Sequence, residues 1–270
     1  MIIVRGGGVV RLVRQVDHQT QCGIMARAWG NAAFARPEPF GPLIEVAECH
    51  DDGWRGWDAA PQVDDEGVLV NFPDLDRAIH APMYAQGIAA AAARGPRVGL
   101  LASMHGQGLY EKRMGLDGPC PPRAGRPECE LRFLSEQERL QAELRARIGG
   151  GEALTRWAWA GYRLLQAWDV LSLYVCWRGL GAGEQWVLPQ VPTKAGDDDV
   201  NMRLSARDPA TCVVHPWPFA GDRLDLSVSV RRITDIAYPN DDALRTAIDA
   251  AAPRILVLSA VPESDESAGE

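Results

Sequence analysis

The chain has 270 residues, 46% apolar and 24% charged, with a formal net charge of −8. That length can bury a substantial core and fits one large domain with room for a small appendage. The acidic balance argues against a general binder of nucleic acid or anionic membranes, and no run approaches the ~18 consecutive apolar residues of a membrane span.

The apolar run at Met1 to Val4 is too short for a signal peptide. Six scattered cysteines form no Cys-x-x-Cys pair, which fits reduced thiols in a cytoplasmic protein. On the same reasoning a disulfide between Cys120 and Cys129 is disfavoured.

Residues 1–15 alternate apolar and polar around Gly6-Gly7-Gly8 and predict a β-hairpin. Gln15 or Asp17 opens a helix to about Trp29 that carries His18. Pro37 and Pro39 punctuate a connection over 31–42. Leu43 to His50 reads as a second helix with Leu43, Val46, Ala47 and His50 on one face. Residues 58–73 are a polar loop with a short strand at Val68 to Val70. Asp74 is the expected N-cap of a helix to about Arg94, on which His80, Tyr84, Gly87 and Ile88 share a face. A further helix, 97–109, carries His105.

Residues 111–130, rich in proline and glycine, read as an irregular excursion, and Ser135 with Glu138 as a capping box opening a helix toward Ile148. The segment 152–178, nearly all apolar, predicts a long helix at the centre of a helical domain, with Asp169 in its middle. Beyond Gly179 the pattern turns to strands at 186–188, 212–214, 224–233 and 255–259, with a short helix at 241–251. The tail 263–270 is acidic and expected to be disordered. The expectation is a mainly α protein. A helical core with an N-terminal hairpin occupies 1–180, a β-rich extension packed on the core occupies 181–262, and the two termini supply one small sheet.

Four of the five histidines fall before residue 106, each in a segment that reads as helix, and Asp51 follows His50 directly. A buried aspartate at 169 needs a partner, either a metal ion, a histidine, or an arginine such as Arg163 or Arg178. The set His18, His50, Asp51, His80, His105 and Asp169 has the residue types to hold two adjacent metal ions. Imidazoles and carboxylates without a required thiolate suit iron, manganese, cobalt or zinc and disfavour calcium. Asp52, Glu48, Trp54, Tyr84, Gln107 and Lys112 are the candidates for supporting or substrate-facing roles. His215, among strands, is expected to be structural. Ser103 and Ser172 lack the neighbours of a nucleophile.

His50-Asp51, with His18 before and Asp169 after, resembles the HD-domain superfamily of metal-dependent enzymes over about residues 15–178. That resemblance implies an HD-like helical bundle in which these four bind one metal, His80 and His105 bind a second, and Asp51 bridges the two. The six-part set is similar to the mixed-valent di-iron oxygenases of the superfamily. It implies two irons, O2 as co-substrate and a small organic substrate. A metal-dependent phosphohydrolase is the alternative, and a non-catalytic metal- or ligand-binding protein a third. Many phosphate-acting HD enzymes carry a lysine where this chain has Trp54, which favours the oxygenase. The 111–130 excursion and the C-terminal sheet are the expected lids. The chain also resembles an uncharacterised bacterial family built around His-Asp-Asp-Gly-Trp.

Overall fold

The computed structural model describes residues 1–178, 184–194 and 199–264, the Arg178 side chain excepted. The N-terminal alternation forms the hairpin β1 (Ile2–Gly6) and β2 (Val9–Val13). Helices α1 (Gln15–Ala28), α2 (Gly41–Ala47) and α3 (Arg55–Ala59) follow, then α4 (Arg77–Arg94), α5 (Pro96–Tyr110), α6 (Glu128–Ile148) and α7 (Gly151–Leu173). The protein is mainly α with two small sheets. The first sheet has the order β1-β2-β7-β8, with β7 (Val228–Thr234) and β8 (Arg254–Leu256) returning to the hairpin, and Val10 sits opposite Ile233. In the second, β3 (Gln185–Pro192), β4 (Asp199–Asp208) and β5 (Thr211–His215) are joined by β9 (Ser259–Pro262) and β6 (Leu224–Asp225).

Two expected strands thus prove to be two strands each. The alternation of 224–233 breaks at Leu226, where the chain leaves one sheet for the other, and 255–259 breaks the same way. Strand period alone does not say which partner is in reach. The long β4 lacked a recognisable pattern. Helix α8 (Asp241–Ala250) seats Leu244 on a small second core with Ile3, Val10, Leu12 and Tyr238.

Three helix boundaries differ from expectation. The N-cap of α4 is Asp76, whose side chain accepts from Ala78 N–H, while Asp74 closes a short 3₁₀ turn. Helix α6 begins at Glu128, so Ser135 lies exposed inside it and caps nothing. Helix α2 ends at Ala47, so His50 and Asp51 stand in the turn beyond it. The central helix ends at Leu173 and continues as a π-helical turn, Tyr174–Arg178. All six cysteines are free. Within the tail, Glu263 pairs with Arg203, and 265–270 lie outside the described residues.

What places the His50-Asp51 turn is a close backbone crossing. A Cβ on Gly53 would stand 2.6 Å from the Met83 carbonyl oxygen, and one on Gly87 2.6 Å from the Gly53 nitrogen. Only glycine at both positions lets the turn lie flat on α4. That contact carries Asp51 to Tyr84 on the same helix.

Candidate metal centre

Five of the six residues singled out in the sequence meet at the inner ends of α1, α5, α7 and the 48–54 turn. His18 Nε2 lies 3.0 Å from Asp169 Oδ1 and 3.8 Å from Asp51 Oδ2. His50 Nε2 lies 3.8 Å from Asp51 Oδ2 and 3.9 Å from Asp169 Oδ1. His105 Nε2 faces the other oxygen, Asp51 Oδ1, at 4.0 Å. The sixth, His80, lines the same cavity but makes no ion pair with either aspartate. Its ring stacks on Tyr84 at 4.4 Å between centroids, and its Nδ1 is 2.6 Å from Tyr110 Oη.

The tautomers follow from the partners. His50 Nδ1 donates to the Ala47 carbonyl, which can only accept, so the Nε2 lone pair is free. That Nε2 is buried with no hydrogen-bond partner. His18 Nδ1 donates to Ser172 Oγ at 2.6 Å, because the single Ser172 proton goes to the Gln21 or His18 carbonyl oxygen. Gln21 is in turn held by the Leu226 carbonyl. His105 is arranged differently. Arg113 Nε donates to Gln166 Oε1, which turns the Gln166 amide nitrogen toward His105 Nδ1 at 2.9 Å and leaves the ring proton on Nε2.

Asp51 is held by its backbone as well as its carboxylate. Gln19 Oε1 accepts from Asp51 N–H at 2.9 Å while Gln19 Nε2 donates to Asp52 Oδ1, and Asp52 is tied to Arg55 and Arg94. Tyr84 Oη donates to Asp51 Oδ1 and accepts from Trp54 Nε1. Burial raises the Asp169 pKa, but the hydrogen bond and charge of His18, with His105 and His50, outweigh it and hold the carboxyl well below the usual range. Burial lowers both His80 and His105 to about 4, helped by Arg77 for the first and His50 for the second.

These residues fit a metal ion. An ion about 2.1 Å from each donor sets neighbouring donors about 3.0–3.4 Å apart. The His18, His50, Asp51 and Asp169 contacts span 3.0–3.9 Å. Asp51 and Asp169 are both buried, and no lysine or arginine among the described residues pairs with either. Arg163, one candidate partner, instead meets Asp199 and the Gln190 carbonyl. The Arg178 side chain lies outside the described residues.

The centre opens into a cavity of about 200 Å³ walled by Trp54, Phe72, Pro73, Leu109 and Leu173, with Arg77 the one lysine or arginine of its lining among the described residues. Four expected helpers stand elsewhere. Lys112 is exposed on a left-handed turn (φ 50°), Gln107 bonds Glu111 and Gln141, and Glu48 pairs with Arg27 at the surface. Asp52 acts only through Gln19. Among the described residues, neither 111–130 nor the C-terminal strands line the cavity. Gln166, Gln19, Tyr110 and Arg77 are not among the residues the sequence singles out, and Ser172, weighed there only as a nucleophile, instead holds His18. Three-residue spacing was the available signal, since Gln166, Asp169 and Ser172 share one face of α7, and Arg77 and His80 one face of α4.

Fold and site together define a mainly helical protein with a buried histidine–aspartate centre of metal-ligand type. Residues 1–235 match the family Protein of unknown function (DUF3891), and the chain belongs to that family. No curated protein and no solved structure matches it. Among the described residues no helix is long and apolar enough to cross a membrane.

Proposed function

We propose that the protein is a dinuclear metal-dependent enzyme of the HD type, and that it activates O2 to oxidise or cleave a small organic substrate. The observation that carries the reading is Asp51, whose Oδ2 faces His18 and His50 while its Oδ1 faces His105. A carboxylate so placed can bridge two ions. His18, His50 and Asp169 complete the first set. His105 and His80 serve the second, where ligation by His105 Nε2 requires the Gln166 amide to turn and accept from Nδ1–H. Iron is the metal we assign, with manganese, cobalt or zinc as alternatives. Bound metal would supply Lewis acidity and redox capacity at open coordination positions. The protein's own part is to orient the imidazoles through Ser172, Ala47 and Gln166, to anchor Asp51 through Gln19, and to wall the site with apolar side chains that exclude water.

The apolar walls, and the presence of only Arg77 among the lysines and arginines of the described cavity lining, favour the oxygenase, because a transferring phosphoryl group calls for convergent positive charge. Arg77 at the cavity is the observation that favours the alternative, a metal-dependent phosphohydrolase. Metal analysis of anaerobically purified protein, with Mössbauer and EPR spectra after partial oxidation, separates them. Two irons per chain with a coupled mixed-valent signal are expected. Two manganese, cobalt or zinc ions would move the assignment to phosphate esters, and protein without metal would leave only a non-catalytic binding role.

A further inference from the structure

The cavity wall carries two kinds of charged or polar group, Asp51 and Asp169 with the imidazoles, and Arg77, the first residue of α4, one helical turn before His80. The Arg77 side chain is exposed, with its guanidinium carbon 5.1 Å from the centroid of the Tyr110 ring. No carboxylate among the described residues pairs with Arg77, whereas Arg55, Arg94, Arg113 and Arg123 each hold an acidic partner. Its neighbours in the cavity wall, Phe72, Pro73, Leu109 and Leu173, offer nothing charged.

A single guanidinium over an aromatic ring, in contact with the Tyr110 hydroxyl but with no acidic partner and further N–H donors, is suited to one planar carboxylate. One cation is too few for a dianionic phosphate, which is usually held by several donors. The volume, about 200 Å³, equals roughly seven waters at ~30 Å³ each. It therefore admits a compact molecule with a short alkyl or single-ring body. We propose that the ligand of this cavity is a small monocarboxylic acid. Its carboxylate pairs with Arg77, its apolar body lies between Phe72, Leu109 and Leu173, and its far end reaches Asp51. This rests on the reading of the cavity as the substrate site, but not on which metal is bound.

The test is calorimetric titration of the full-length protein, as purified, with butyrate, hexanoate and benzoate. Their neutral amides and inorganic phosphate serve as the comparison, and metal content is measured on the same samples. At least one carboxylate should bind roughly tenfold or more tighter than its amide, as expected of a charge-assisted pair. Arg77→Gln should erase that difference, and Arg77→Lys should keep part of it, with metal content the same in all three proteins. Arg77 is exposed in the first turn of its helix, so both variants should fold, which circular dichroism checks. Equal binding of acid and amide, undiminished carboxylate binding by Arg77→Gln, or phosphate binding tighter than every carboxylate would each overturn the proposal. Loss of the acid preference in Arg77→Gln, in protein that carries no metal, would uphold this inference while sinking the metalloenzyme reading.

Discussion

The two oxygens of Asp51 face surroundings prepared to different degrees. On the Oδ2 side His50 already presents a lone pair inward, fixed by the Ala47 carbonyl behind it, while His18 is held by Ser172 behind and meets Asp169 through its inward nitrogen. On the Oδ1 side the Arg113–Gln166 pair leaves the proton of His105 on the inward nitrogen, and His80 is engaged with Tyr110. The first half takes an ion by giving up the one His18–Asp169 contact, and the other must exchange hydrogen bonds behind its rings to take one. A metal site is shaped as much by the groups behind its ligands as by the ligands themselves. The first metal should bind tightly and the second more weakly.

Asp51→Ala bears on both halves at once and should have the largest effect. We expect both metals to be lost by elemental analysis; retention of two would end the bridging assignment. The next comparison is between His105→Ala and Ser172→Ala. His105→Ala should leave one metal per chain. Ser172→Ala should weaken the first metal by about 10–100-fold, as removal of a group behind a ligand typically does. If His105→Ala keeps two metals, the Oδ1 half is not a metal site.

A smaller effect concerns the metal-free protein. Burial holds His80 and His105 neutral in the fold down to about pH 4, while in the unfolded chain each takes up a proton near pH ~6.5. Stability from keeping them neutral is therefore full above about pH 6.5 and is lost as pH falls toward 4, at on the order of 1 kcal/mol per pH unit for each group. Thermal melts of chelated protein should fall across that window. His105→Ala should flatten the decline, and an unchanged profile would contradict the burial argument. His215→Ala should do least. His215 is exposed on β5, pairs with Glu263 at 3.0 Å and is not in the cavity lining. Any change in metal content would show that the C-terminal sheet reaches the site in a way these contacts do not.

How legible the molecule was depends on which interaction decides each part. Helices α4, α5 and α7 were readable because an amphipathic or apolar period spans their length, and so was the hairpin at the N-terminus, whereas α1 was readable from the polar residues that open it. The six chemistry-bearing residues stood out because charged and imidazole groups inside apolar stretches need partners. Periodicity named them but could not say that His50 and Asp51 sit beyond the end of α2, nor that α6 starts seven residues before Ser135. Those boundaries are set by packing and local capping against neighbours distant in sequence. The same holds for the strand pieces at 224–234 and 254–262, whose sheet is chosen by which edge lies within reach.

By itself, then, the sequence determined the helical class, the buried apolar centre of α7 and the inventory of possible ligands, since each depends on composition and short-range spacing. Only the tertiary structure decided that Asp51 turns its two oxygens to different imidazoles. It alone set the proton on each ring through Ala47, Ser172 and Gln166, and put Arg77 rather than Lys112 at the cavity. Hydrogen bonds of these kinds join residues up to 154 positions apart, and their geometry exists only once the helices have packed.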